Sequence, residues 1–198
     1  MTARPIHLPP MAVFGAGGLA SEVGWVVRAI STAANLSDGP MCFVDDDARR
    51  EGEIFCGAPV MTLDTALSRH PGAHFVVAVG EPAARKSVVE RLEQRGVTFS
   101  ALIYPNAQHP ASLRVGAGSL IMANTVLTEN VVVGRHSLID VGCTISHDAR
   151  IGDFVTMGPG ARLCGHVHVH ALVRIGAGAT VSNGRRGNPL VIGEGAIV

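Results

Sequence analysis

Nine histidines are many for a chain of 198 residues, and five of them, His136, His147, His166, His168 and His170, fall in one stretch of the C-terminal half. Imidazole is the side chain best suited to take and return a proton near neutral pH. His147 is followed by Asp148, a carboxylate able to orient the ring and stabilise its charged form, and Gly165 lies eighteen residues further on. A base, a carboxylate and a backbone N–H brought to one place would suit acyl transfer, in which a nucleophile loses a proton while a carbonyl oxygen gains charge. The alternative is that these histidines merely decorate an outer wall. The fold decides which of them can meet.

The same stretch carries a strict period. From Val115 through Ile121, Leu127 and onward to Ile175 and Val181, an aliphatic residue stands at every sixth position. Four residues after each, from Ser119 to Ala179, stands a small or β-branched residue. Neither a helix nor a plain strand has this period, but a parallel β-helix of hexapeptides does, three short strands making a coil of eighteen residues. The twelve hexapeptides predict four coils, with the aliphatic residues inside and the glycines one position later (Gly116, Gly134, Gly152, Gly158, Gly176) supplying the bends at the corners. Residues eighteen apart then stack, which puts Gly165 directly over His147. His166, His168 and His170 alternate in a way that suggests zinc, but in this register they occupy three different positions and are not expected to converge, so no metal site is predicted. Beyond Val181 the segment NGRRGNPL adds five residues before Ile192 resumes the period. It reads as a loop leaving the prism, with Arg185 and Arg186 either solvated or forming an anion site for a phosphorylated cofactor.

The N-terminal half is built differently. The run MAVF enters the glycine turn GAGGLA and a helical segment, MCFV ends in Asp45, Asp46 and Asp47, HFVVAVG ends at Gly80, a helix follows from Pro82 to Arg95, and TFSALI reads as a last strand. Strands alternating with helices predict a small Rossmann-like parallel sheet whose ligand crevice lies at the carboxyl ends of its strands. Gly15, Gly17, Gly18, the aspartates and Gly80 fall on that rim. The pattern Gly15-x-Gly17-x-x-Ala20 suits the approach of a phosphate or ribose, or simply a tight turn. The expected organisation is a lead-in over residues 1–10, the α/β domain over 11–105 and the β-helix over 106–198.

Sixteen basic and sixteen acidic residues balance, which gives no general surface for nucleic acid or membrane. No leader-like apolar segment or membrane span is visible, so a cytoplasmic protein is expected. The four cysteines, Cys42, Cys56, Cys143 and Cys164, lack zinc-type pairing, and Cys143 at an inward position reads as a reduced core thiol.

Taken in order, VFGAGGLASEV, FVDDD, VVAVGEPAARK, LIYPNA, ISHDARIGD and IGAGATV resemble the bacterial sugar acetyltransferases of the NeuD and PglD type. The resemblance implies a homotrimer of left-handed β-helices, acetyl-CoA lying between neighbouring prisms, and a nucleotide-sugar held by the N-terminal domain. It makes His147 the catalytic base and Asp148 the residue that raises its basicity. Nucleotide-sugar contacts carry over to Gly17, Gly18, Leu19, Asp45, Asp46 and Gly80, and acetyl-CoA contacts to Thr156, Gly165 and Ala177. Three positions depart from the family's pattern. Leu19 replaces a histidine of the glycine turn, Thr156 stands where a histidine can contact the cofactor, and Asp140 takes a place often held by asparagine. A carboxylate at 140 could pair with an amine.

The expected reaction is direct acetyl transfer from acetyl-CoA to an amino or hydroxyl group of a sugar, with a nucleotide-linked amino sugar favoured and a sialic acid or polysaccharide O-acetyltransferase as the alternative. A zinc enzyme of the γ-type carbonic anhydrase kind, or a trimer that binds nucleotide without catalysis, are more remote readings.

Overall fold

The computed structural model describes residues 9–35 and 39–198. The expected lead-in thus lies outside the described residues except for Pro9 and Pro10. The chain groups into two compact units: one holds residues up to Val79 together with Arg91–Ser100, the other Gly80–Glu90 together with Ala101–Val198.

In the first unit β1 (Met11–Phe14) leads into α1 (Gly18–Ala33), which buries Ala20, Val23, Val26, Val27 and Ile30 along one face. The remaining strands are β2 (Cys42–Val44), β3 (Ile54–Phe55), β4 (Ala58–Met61), β5 (His74–Val77) and β6 (Thr98–Phe99), with α2 (Leu63–Arg69) before β5; α3 (Pro82–Glu93), which precedes β6 in the chain, belongs for the most part to the second unit. The sheet order is β3-β4-β2-β1-β5-β6. All its pairs are parallel except β3 with β4, which form a hairpin turning at Cys56 and Gly57, both at positive φ. With β2 on one side of β1 and β5 on the other, the carboxyl end of β1 is where the winding reverses, the usual ligand crevice of such sheets.

The expected strand TFSALI divides. Thr98–Phe99 pairs with β5, whereas Leu102–Ile103 pairs with Leu120–Ile121 and begins the β-helix. That column is left-handed and has three faces. The first carries Leu102–Ile103, Leu120–Ile121, Leu138–Ile139, Thr156–Met157 and Arg174–Ile175. The second carries Val126–Leu127, Thr144–Ile145, Arg162–Leu163 and Thr180–Val181, and the third Arg114–Val115, Val132–Val133, Arg150–Ile151, Val167–Val169 and Leu190–Ile192. Each face is a stack of parallel rungs joined at an offset of eighteen residues, as in Thr144 on Val126. The stack is taller than four coils. It gains rungs at both ends, from Leu102–Ile103 and from Leu190–Ile192, the latter pairing Val169 with Ile192 across the five-residue insertion. The interior is the predicted aliphatic column, from Ile121 to Ile192.

The corners correct one expectation. The residue that turns the chain is three places after each aliphatic residue, where Gly118, Asn124, Asn130, His136, Gly142, Asp148, Phe154, Gly160, His166, Leu172 and Gly178 all have φ between 53° and 73°. Asn, Asp and His tolerate this region better than most side chains. The glycines two residues earlier serve stacking instead. A Cβ on Gly116 would lie 2.6 Å from the backbone of Gly134 and Arg135 on the next rung.

Among the described residues, no helix is long and apolar enough to cross a membrane.

Candidate functional site

At the corner between the second and third faces, Asp148 takes φ 59° and turns its carboxylate back on its neighbour, so that His147 Nδ1 lies 2.9 Å from Asp148 Oδ2. A carboxylate there accepts Nδ1–H and leaves Nε2 with its lone pair outward, the tautomer of a general base. Asn130, one rung below, donates to Asp148 Oδ1 at 3.2 Å. The imidazole partner, and then Asn130, hold the Asp148 carboxyl below its ordinary pKa, so it stays ionised wherever His147 is to be oriented.

Gly165 stacks on this corner. A Cβ there would lie 2.7 Å from His147 Cε1 and Nε2, so only glycine leaves room for the ring. Its carbonyl accepts Gly184 N–H, and His166 N–H donates to the His147 carbonyl, but the Gly165 N–H takes no part in these rung-to-rung bonds. His147, Asp148 and the Gly165 backbone therefore share one corner, with the His147 side chain 57% exposed.

His166 joins them. Its ring stands edge-on to that of His147 with centroids 5.2 Å apart, and its Nε2 is 3.8 Å from Asp148 Oδ2. Eighteen-residue stacking separates His166, His168 and His170 from one another, and they are separate, His168 on the third face and His170 beyond it. It does not reveal that His166 approaches the pair below. His147, Asp148 and His166 bring nitrogen and oxygen atoms within 4.8 Å of one another. A cation there would share its groove with Arg150 and Arg186.

The inserted turn is rooted on the same corner through Gly184 on Gly165 and Leu190 N–H on the His166 carbonyl, and closes on itself between Arg185 and Asn188. It sends Arg186 into a groove of about 760 Å3 that Asp148, His166, Arg114 and Arg150 also line. Arg185 lies beside it, exposed in the turn.

Other predicted residues stand elsewhere. Asp140 and Ala177 occupy the corner between the first and second faces, where Asp140 Oδ1 accepts Val141 N–H at 2.7 Å. Thr156 is on the first face and 9% exposed; its hydroxyl donates to the Gly80 carbonyl and accepts from Arg85. Thr156 and the Gly80 carbonyl are thus engaged with the chain itself. Arg85, which sequence reasoning missed, is 2% exposed and bonds the carbonyls of Gly80, His136, Phe154 and Val155 as well as Thr156. Burial lowers its pKa to about 10, a shift Glu81 partly opposes.

In the first unit the glycine turn and the aspartates form a second candidate region. Gly15, at φ 113°, donates to the Val44 carbonyl at 2.7 Å, tying the turn to the end of β2. Gly17 caps α1 without a side-chain bond, no acidic residue fills the first turn, and neither Gly17 nor Gly18 has an atom within 4 Å of where a Cβ would stand. Open N–H groups at a helix start favour an anion. Leu19 is half-buried in that turn. Asp45 is held by Arg50, which also reaches the Ala16 carbonyl, and Asp46 by Arg91, so both aspartates arrive with cationic partners that the sequence did not suggest.

Residues 10–92 match the PglD N-terminal domain family. The chain is 29% identical over 184 residues to a GDP-perosamine N-acetyltransferase of Escherichia coli O157:H7, covering 92% of this chain and 82% of that one. Among solved structures, WeeI from Acinetobacter baumannii AYE is 32% identical with a TM-score of 0.84, covering 94% of this chain and 87% of its own. The acetyltransferase domain of PglB from Neisseria gonorrhoeae FA1090, in complex with acetyl coenzyme A, is 28% identical with a TM-score of 0.64, covering 95% and 94%.

Proposed function

Since this chain belongs to the bacterial sugar acetyltransferases of the NeuD and PglD type, and is thereby an acyltransferase, we propose that it moves the acetyl group of acetyl-CoA to the amine of a nucleotide-linked amino sugar. The single observation that carries this reading is the corner where His147, Asp148 and Gly165 meet. An acetyl-CoA complex among its structural relatives and a nucleotide-sugar N-acetyltransferase among its sequence relatives support the two substrates.

The neutral amine attacks the thioester carbonyl carbon. His147 Nε2 takes the proton the nitrogen loses, while Asp148 holds Nδ1–H and stabilises the imidazolium. The carbonyl oxygen gains charge in the tetrahedral intermediate and the Gly165 N–H meets it, a contribution of about 3 kcal/mol for one well-aimed donor. The intermediate collapses by breaking the C–S bond, and the departing sulfur takes up a proton as the free thiol. No acyl-enzyme is required, because the thioester is already activated.

The nucleotide end of the acceptor is assigned to the glycine turn, with Gly15, Gly17, Gly18 and Leu19 at the start of α1 and Asp45 and Asp46 beside it. Asp140 and Ala177 lie on a different corner from His147 within one chain. A homotrimer in which corners of neighbouring copies meet would bring them to the acetyl-CoA, which is the assembly proposed here.

Release of free thiol from acetyl-CoA, followed against a panel of nucleotide-linked amino sugars and free sialic acid, tests the reaction. His147→Asn should keep the fold and coenzyme binding and lower kcat by at least about a hundredfold. Near-normal turnover in that variant would remove His147 from the mechanism, and acetylation of sialic acid alone would move the acceptor from nitrogen to oxygen.

A further inference from the structure

Three arginines stand in the groove beside the proposed base. Arg114 and Arg150 project from the third face two rungs apart with Val132 between them, and Arg186 enters from the turn rooted on Gly165. His166 and His168 line the same groove. The one carboxylate on the lining, Asp148, is already bonded to His147 and Asn130.

Several other arginines of this chain are answered by acids: Arg49 by Asp47, Arg50 by Asp45, Arg91 by Asp46 and Arg95 by Asp64. Among the described residues Arg114, Arg150 and Arg186 have no carboxylate at ion-pair distance. The crowding of positive charge is felt at His168, whose pKa is lowered first by burial and then by Arg150, His170 and His166. Arginine does not shed its proton to relieve such crowding, so a bound anion is what would neutralise it. Two rungs span about 10 Å, and Val132 between the arginines is too short to fill the space, so both guanidinium groups can fold over one occupant. Their planar forks match phosphate oxygens, and a groove of about 760 Å3 is of the size that takes a nucleotide-sized molecule.

We infer that this groove is a phosphate site, in which Arg114 and Arg150 clamp a phosphate group of a nucleotide and Arg186 closes on it from the turn. Both molecules of the proposed reaction carry phosphate, coenzyme A on its 3′-hydroxyl and in its pyrophosphate, the acceptor in its nucleoside diphosphate. The inference rests on that reaction for its choice of probes, whereas the binding itself is independent of turnover.

Calorimetric titration of the full chain with coenzyme A, 3′-dephospho-coenzyme A, GDP and UDP tests it, on wild type, R114Q/R150Q and R186Q. The double variant is expected to bind one class of probe at least about tenfold more weakly, the effect of losing charge-assisted bonds. Weakened coenzyme A binding with loss of the preference over the dephospho form assigns the 3′-phosphate; weakened binding with that preference kept assigns the pyrophosphate. Weakened GDP or UDP binding alone assigns the acceptor. R186Q, in an exposed turn, shifts the same probe in the same direction and decides the matter if the double variant does not fold. Unchanged affinity for every probe in a folded variant overturns the site, as does a wild type that binds none of them. If the variants lose a phosphate probe but the wild type transfers no acetyl group to any acceptor, the proposed reaction falls and the phosphate site stands.

Discussion

His147 is confined from two directions, by Asp148 Oδ2 at 2.9 Å from Nδ1 and by the Cα of Gly165. The second constraint can be tested without touching either ionisable group. A methyl group on residue 165 would stand 2.7 Å from Nε2, and because the ring is the end of a side chain it would swing aside while the coil stayed intact. Gly165→Ala should therefore melt like wild type and lose about a hundredfold or more in kcat, the cost of displacing a reacting group by an ångström or so. Wild-type turnover in a folded Gly165→Ala protein would mean that the ring acts from elsewhere or not at all. These three residues are legible in the sequence because one rule, eighteen residues to a rung, converts distance along the chain into vertical contact. Long side chains obey no such rule. Arg85 reaches His136, Phe154 and Thr156, 51 to 71 residues away, and Arg91 reaches back 45 to Asp46.

The β-helix shows why its small inward residues are small, and often polar. Ser119 Oγ donates to the Gly134 carbonyl, Ser137 Oγ to Gly152 and Cys143 Sγ to Gly158, each fifteen residues ahead. Ser137 Oγ also accepts Val155 N–H at 3.0 Å, so one buried hydroxyl ties two rungs. Ser137→Ala would leave the Gly152 carbonyl and the Val155 N–H unanswered inside the prism. It should cost about 2 kcal/mol and lower Tm by roughly 4–8 °C in a chain of this length. A melting curve superimposable on wild type would show that the hydroxyl contributes nothing to stacking. The repeat itself is plain in the sequence, since a period of six has few physical explanations. Which position bends is not, because glycine marks both a positive φ and a close approach of backbones, and only the dihedral angles separate Gly118 from Gly116. The β3–β4 hairpin is hidden for a related reason: strands of two and four residues around Cys56-Gly57 are too short for alternation to register.

For the molecule as a whole, the boundary expected after residue 105 falls just past the first rung of the β-helix, Leu102–Ile103, and Gly80–Glu90 groups with the β-helix as well. Within that group Arg85 bonds His136, Phe154, Val155 and Thr156, an attachment no local pattern announces. Each unit nevertheless carries its own internal reporter. Cys42 lies in β2 of the first unit and Cys143 in the second, both fully buried, and burial pushes each thiol up to about 11. At pH 8 only about one in a thousand of such thiols is ionised, and the thiolate is the reactive form. Cys56 is exposed and Cys164 half-buried. An aromatic disulfide reagent should therefore label Cys56 and Cys164 of the native chain and spare Cys42 and Cys143 until denaturant opens their units, with peptide mapping identifying each site. The denaturant concentrations at which Cys42 and Cys143 become reactive then measure the stability of the two units separately. Rapid labelling of all four cysteines in buffer would contradict the burial of Cys42 in β2 and of Cys143 in the prism alike.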